Sequence, residues 1–165
     1  MASLSPQERI AIPRGAGELV AYRYGDAGGR PLIAIHGITS SHLAWQFLAA
    51  PLVARGFTVY AVDLRGRGDS RSVGGPYGMA THADDVVALM DHVGLATADV
   101  IGHSMGAFVA AALVHAYPDR VATLTFIDGG VPLPLPPGMT LEQVMPLVLG
   151  PALERLSKTF ASQEE

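Results

Sequence analysis

Apolar runs alternate along this chain with stretches rich in glycine, proline and charge, and the spacing within the runs separates strands from helices. Residues 8–24 read as two short strands joined by a turn at Arg14-Gly15-Ala16-Gly17. Gly25 to Pro31 is a loop. Pro31-Leu32-Ile33-Ala34-Ile35 and Phe57-Thr58-Val59-Tyr60-Ala61-Val62 are apolar almost throughout, which suits strands buried on both faces of a parallel sheet. Between them, His42 to Ala54 carries Leu43, Trp45, Phe47, Leu48 and Leu52 at helical spacing, and Pro51 should end or bend that helix. Asp63 to Tyr77 is a glycine-rich loop. A helix is predicted from about residue 82 to residue 93, capped by Thr81, packed through Val86, Val87, Leu89, Met90 and Val93, and stopped by Gly94. Ala98-Asp99-Val100-Ile101 is the next strand. A helix of small residues runs from Ala107 to about Tyr117, where Pro118 stops it, and Val121 to Ile127 is a further strand ending at Asp128.

The repeated order of strand, loop and helix predicts an α/β fold with a mostly parallel, twisted sheet and helices on both faces. Ligands bind such sheets at the carboxyl ends of the strands. His36-Gly37, Asp63, Ser104 and Asp128 all fall at those ends. The pattern changes after Gly130. Val131 to Pro137 carries too much proline for a central strand or a helix. Thr140 to Gly150 and Pro151 to Ala161 then read as two short helices of unusual apolarity, with Leu141, Val144, Met145, Leu147, Val148, Leu149, Leu153, Leu156 and Phe160. The expected division is a core over residues 1–130 and a helical segment over 131–165.

Composition removes several alternatives. The 165 residues have room for one core, and with 49% hydrophobic and 16% charged residues the chain should fold. A formal charge of −4 without a basic run argues against a nucleic-acid or anionic-membrane partner. The absence of cysteine excludes disulfides, thiolate metal sites and a cysteine nucleophile, and fits a reducing compartment. Met1 to Pro6 lacks the basic-then-apolar pattern of a secretory signal, and no apolar run approaches the ~20 residues that span a bilayer. A cytoplasmic location without a membrane span is therefore expected. No histidine spacing matches H-E-x-x-H, and the glycine clusters form neither G-x-G-x-x-G nor a P-loop, so neither a metal nor a nucleotide cofactor is expected.

The candidate chemistry centres on Gly102-His103-Ser104-Met105-Gly106. This is G-x-S-x-G between a strand and a helix, the nucleophile elbow of serine hydrolases. Such a turn holds the serine in a strained conformation and lifts its hydroxyl off the sheet. Gly102 and Gly106 remove Cβ atoms where strand and helix pass closely. Acyl transfer also needs two backbone N–H groups aimed at the developing oxyanion. Met105, after the nucleophile, should supply one, and Ile38, in the loop after the His36 strand, the other. Gly37 lets that loop approach substrate closely, and His36 should be a buried histidine that pins it. Trp45 and Met79 are expected in the core, and His42 and His82 on the solvated starts of helices.

Together, His36-Gly37, Asp63-Leu64-Arg65-Gly66-Arg67-Gly68-Asp69-Ser70, Gly102 to Gly106 and Tyr117-Pro118-Asp119-Arg120-Val121 resemble the α/β-hydrolase fold family over residues 18–130. The similarity is greatest to its serine esterase, haloperoxidase-like and carbon–carbon hydrolase branch. That resemblance implies a serine hydrolase of carboxylic esters or related acyl compounds, with cofactor-free perhydrolysis and carbon–carbon bond hydrolysis as variants. Relatives that open epoxides or displace halide carry aspartate at the position of Ser104. The resemblance makes the Asp63–Ser70 loop a folded turn held by Asp63, Arg65 and Asp69, and residues 131–165 the start of a helical lid.

A serine hydroxyl needs a base, and the base an orienting acid. The family order is serine, acid, histidine, and here no histidine follows His115. His103 adjoins Ser104, but neighbouring side chains diverge in this geometry. Asp128 is a candidate acid, since some members place it there. The expectation is an N-terminal portion of a longer hydrolase, ending within the lid and nearly inactive alone, whose Val121–Ile127 strand is an uncovered edge prone to self-association. The alternative is a non-catalytic small-molecule binder or a half-domain that needs a partner.

Overall fold

Within β3 (Arg30–Ile35) and β4 (Phe57–Asp63), side chains alternate between two apolar environments rather than between core and water. Leu32, Ala34, Val59 and Ala61 join one buried cluster, while Ile33, Ile35, Tyr60 and Val62 join another. The period of two is intact, but both faces are covered, which is why these runs carry no polar alternation. The computed structural model describes residues 3–131 and 135–156, the latter without the side chains at 148, 149, 152, 153, 155 and 156. It comprises two units, Met1–Val131 and Pro132–Glu165.

The first unit is built on six strands in the order β1-β2-β4-β3-β5-β6. β1 (Glu8–Arg14) and β2 (Gly17–Tyr24) form a hairpin, and β2 pairs antiparallel with β4. From β4 onward the sheet is parallel, through β3, β5 (Ala98–His103) and β6 (Val121–Ile127). Ile33 lies opposite Tyr60 on one side and Val100 on the other, so β3 is central. α2 (Met79–His92) and α3 (Met105–Ala116) cover one face through Val86, Leu89, Met90, Val109, Ala110 and Leu113. α1 (Gln46–Val53) covers the other through Ala49, beside Trp45. This is the mixed, mostly parallel α/β sheet that the strand–helix order predicts.

Several local expectations are corrected. His42 to Ala54 is not one helix: a 3-10 turn over His42–Trp45 precedes α1, and Pro51 lies inside α1, which ends two residues later. α2 starts at Met79 rather than after Thr81. The extended backbone of Gly78 serves as its N-cap, and the His82 amide already bonds the Gly78 carbonyl. A cap without a side-chain acceptor leaves little mark in a sequence. Met79 is consequently at the helix entrance, 38% exposed, and not in the core. β6 pairs only with β5 among the described residues, and most of its positions are exposed despite their apolar character.

In the second unit, α4 (Leu141–Leu156) is a single helix where two were expected. Each proline removes one donor, but the break that Pro151 should impose does not occur, and Pro146 also lies within the helix. Thr140 and Gln143 form a reciprocal capping box, the Thr140 amide donating to Gln143 Oε1 and the Gln143 amide to Thr140 Oγ1. Residues 132–134 of the expected irregular stretch and residues 157–161 of the expected second helix lie outside the described residues. No helix among the described residues is long and apolar enough to cross a membrane.

Candidate active site

β5 and α3 meet at Ser104, whose backbone stands at φ 52 and ψ −119. A non-glycine residue avoids this region unless its surroundings impose it. The imposition is visible on three sides. The Ser104 amide donates to the Ile127 carbonyl at 2.9 Å, tying the turn to the end of β6. A Cβ on Gly102 would lie 2.4 Å from the Gly106 carbonyl oxygen, and one on Gly106 would lie 2.1 Å from that of Ile35. Glycine at both positions is therefore a packing requirement of the strand–turn–helix crossing. Gly129 is equally confined, since its Cβ would stand 2.6 Å from the Ser104 carbonyl oxygen.

The loop after β3 runs alongside. A Cβ on Gly37 would lie 3.2 Å from Ser104 Cβ and 3.3 Å from His103 Nδ1. Gly37 and Ser104 are thus adjacent, and the two expected donors, the amides of Ile38 and Met105, flank this contact. Neither amide has an acceptor among the described residues. Met105 is the first residue of α3, where an amide has no intrahelical partner.

His36 is fully buried, as its apolar surroundings imply. Its Nε2 accepts the Leu64 amide at 3.0 Å, and its Nδ1 lies 2.7 Å from the Gly37 carbonyl oxygen. Burial pushes its pKa below the usual imidazole value. The turn after β4 completes the support. Arg67 Nε donates to the Ile38 carbonyl at 2.7 Å. Asp63, fully buried, accepts the amides of His42 and Asp69 at 2.6 and 2.9 Å, and its carboxylate lies 3.0 Å from His42 Nδ1. Burial works to raise the Asp63 carboxyl, but these hydrogen bonds, that of the His42 side chain first, hold it below the ordinary carboxylate value. His42 also stacks on Tyr22, with ring centroids 3.8 Å apart.

His42 is therefore not a solvated surface residue, and neither is His82, which is 3% exposed. Both were placed at helix starts by sequence, where the default is solvent. Their burial comes from the β4 turn folding over them, which spacing along the chain does not encode. Arg65 was expected to hold its own turn. Its Nη1 does donate to the Gly74 and Pro76 carbonyls further along that loop, each at 3.2 Å, and its guanidinium also reaches Asp85 of α2 through Nε at 2.6 Å and Nη2 at 2.7 Å. Arg67 was missed as a partner of the Ile38 loop, although its place in the Asp63–Ser70 motif offered the signal.

Ser104 makes no side-chain hydrogen bond among the described residues, so no histidine is paired with it there, His103 included. Asp128 follows Ile127 directly and carries a positive φ of 50. Its carboxylate is exposed and has no partner among the described residues. No group of three or more His, Cys, Asp or Glu that could hold a metal occurs among the described residues. A cleft of about 410 Å³ exists elsewhere, at the β1–β2 turn, bordered by Arg14, Arg65 and Gly74. It contains none of these residues, and the strained backbone and unpaired amides make the Ser104 region the stronger candidate.

The model of the alpha/beta hydrolase fold matches residues 30–161, and the chain belongs to that family. It is 35% identical over 116 residues to lipase LipV of Mycobacterium tuberculosis and 34% identical over 123 residues to a soluble epoxide hydrolase of Corynebacterium sp.. Each match covers 70% of this chain and 43% of the relative. Among solved structures, the epoxide hydrolase CorEH superposes with a TM-score of 0.72 at 27% identity, covering 84% of this chain and 48% of that one. The chain thus spans less than half the length of these relatives.

Proposed function

We propose that the chain carries the nucleophile and oxyanion hole of a serine hydrolase acting on carboxylic esters or related acyl compounds. The observation that carries this reading is the strained Ser104 backbone at the mouth of α3, beside the unpaired amides of Met105 and Ile38. Ser104 Oγ attacks the acyl carbon, the carbonyl electron pair moves onto oxygen, and the two amides hold the resulting oxyanion. Collapse of that intermediate expels the alcohol and leaves an acyl-enzyme, which water then hydrolyses. In this reading the general base comes from outside the described residues, with Asp128 as a candidate for the orienting acid. Serine at the elbow favours acyl chemistry over epoxide opening, even though epoxide hydrolases are among the relatives. The second unit is assigned to a helical lid.

The test, made on a protein that includes the general base, is hydrolysis of p-nitrophenyl acetate together with covalent labelling by a fluorophosphonate probe. Ser104→Ala should abolish labelling and lower kcat by about a thousandfold or more. Full turnover in that variant overturns the serine reading. The lack of a hydrogen-bonded base at Ser104 among the described residues favours one competing reading, a non-catalytic small-molecule binder. Probe attachment at Ser104, located by mass spectrometry, removes it.

A further inference from the structure

We propose that His36 is a positioning residue: its imidazole fixes the Gly37–Ile38 peptide so that the Ile38 N–H faces the nucleophile. The proposal rests on the serine-hydrolase reading above, and it goes further by giving a catalytic consequence to a side chain that never touches substrate. The ring's protonation state follows from its partners. Leu64 N–H can only donate, so Nε2 must present a lone pair to it. The proton therefore sits on Nδ1, which donates to the Gly37 carbonyl at 2.7 Å. The Ser40 amide donates to the same oxygen at 3.2 Å.

That carbonyl and the Ile38 N–H belong to one planar trans peptide, in which C=O and N–H point in opposite directions. Gripping the oxygen from two sides therefore aims the hydrogen. The restraint matters because Gly37 precedes the bond. Without a Cβ, glycine allows the peptide to flip at little steric cost, and any other residue would be tight here, since a Cβ would stand 3.2 Å from Ser104 Cβ. The residue that permits close approach is thus the one that leaves the donor free to turn away, and His36 removes that freedom. On the other side of Ile38, Arg67 Nε holds the next carbonyl. The bonds also run in series, from the Leu64 N–H through the imidazole to the Gly37 carbonyl, and each polarises the next. The charged or titratable groups that face His36 are Asp63, Arg67 and His42.

Two substitutions separate the two ring nitrogens. His36→Asn keeps an N–H near the position of Nδ1 but loses the acceptor for Leu64. His36→Gln can return an acceptor near Nε2 but loses the donor to Gly37. Because an oxyanion donor acts only in the transition state, His36→Gln should lower kcat for p-nitrophenyl acetate by about tenfold to a hundredfold with KM within about twofold. His36→Asn should stay within a few fold of the wild type. Equal losses in both variants, or losses carried by KM, overturn the proposal and leave His36 a packing residue. A second readout needs no turnover. Long-range ¹H–¹⁵N correlation spectra of the wild-type protein should place the ring proton on Nδ1, and the Ile38 amide resonance should move in His36→Gln and not in His36→Asn. A proton on Nε2, or an Ile38 amide unmoved in both variants, is fatal to it. Should Ser104→Ala retain wild-type turnover, the serine reading falls, and the spectra alone decide whether His36 orients this peptide.

Discussion

Single atoms decide much of this site. Alanine usually stabilises a helix relative to glycine by about 1 kcal/mol. Gly106 lies in α3, so helix propensity alone would favour Gly106→Ala. Its Cβ, however, would meet backbone oxygens of Ile35 at 2.1 Å and His36 at 2.7 Å. Backbone cannot yield as a flexible side chain can, so the sign reverses, and Gly106→Ala should destabilise by about 1–3 kcal/mol in urea unfolding. A neutral or stabilising result would mean that β3 and α3 are not pressed together there. The glycines of the elbow were legible because they flank the serine in a local G-x-S-x-G pattern, although the backbone that Gly106 meets belongs to β3 and the residue after it, far away in the chain. The roles of His42 and Arg67 were not, because their partners Asp63 and Ile38 lie 21 and 29 residues away and meet them only through the β4 turn, and the burial of His82 is likewise tertiary.

Among elements, the turn after β4 joins what the strands alone leave separate. Asp85 of α2 is fully buried and receives two nitrogens of Arg65 and one of Arg14 from β1. The Arg65 side chain is 8% exposed, while that of Arg14 is 32% exposed. Asp85→Ala leaves a buried guanidinium without its carboxylate, and should cost about 3–5 kcal/mol. Arg14→Ala removes a partly solvated partner from the same carboxylate, and should cost less than about 1 kcal/mol. Denaturant midpoints of the two variants check the contrast, and equal losses would show that Arg65 finds another partner. The strands themselves were legible, since a run buried on both faces, such as Ile33 to Ile35, needs no tertiary knowledge to recognise. The start of α2 and the continuity of α4 were not. Gly78 caps without a side chain, and α4 continues through Pro146 and Pro151, where local rules favour a stop.

For the molecule as a whole, acid should loosen the fold in two stages. Burial holds His36 and His82 below the ordinary imidazole value of 6.5, so the unfolded chain binds protons that the folded chain refuses. Their stabilising effect is complete above pH 6.5 and declines as the pH falls below it. Asp63, held below its ordinary 3.8 chiefly through His42, contributes above that value and is lost as the pH falls through its folded pKa. Urea midpoints should therefore be level above neutrality and decline below pH 6.5, and His82→Gln should flatten part of that decline. An unchanged slope would show that His82 does not supply it. β6, which pairs only with β5 among the described residues, belongs to this scale too. Thr125→Lys, at an exposed position of β6, tests the proposed self-association through this strand: light scattering at fixed concentration should fall, and no change would overturn the proposal. The Ser104 amide is anchored on the carbonyl of Ile127, the last residue of that same edge strand, and Gly129 leans on Ser104 just beyond it. Anything that grips or bends the edge pulls on Ser104, the proposed nucleophile, through one hydrogen bond, so the rim of the sheet would act as a lever on the site proposed at its centre.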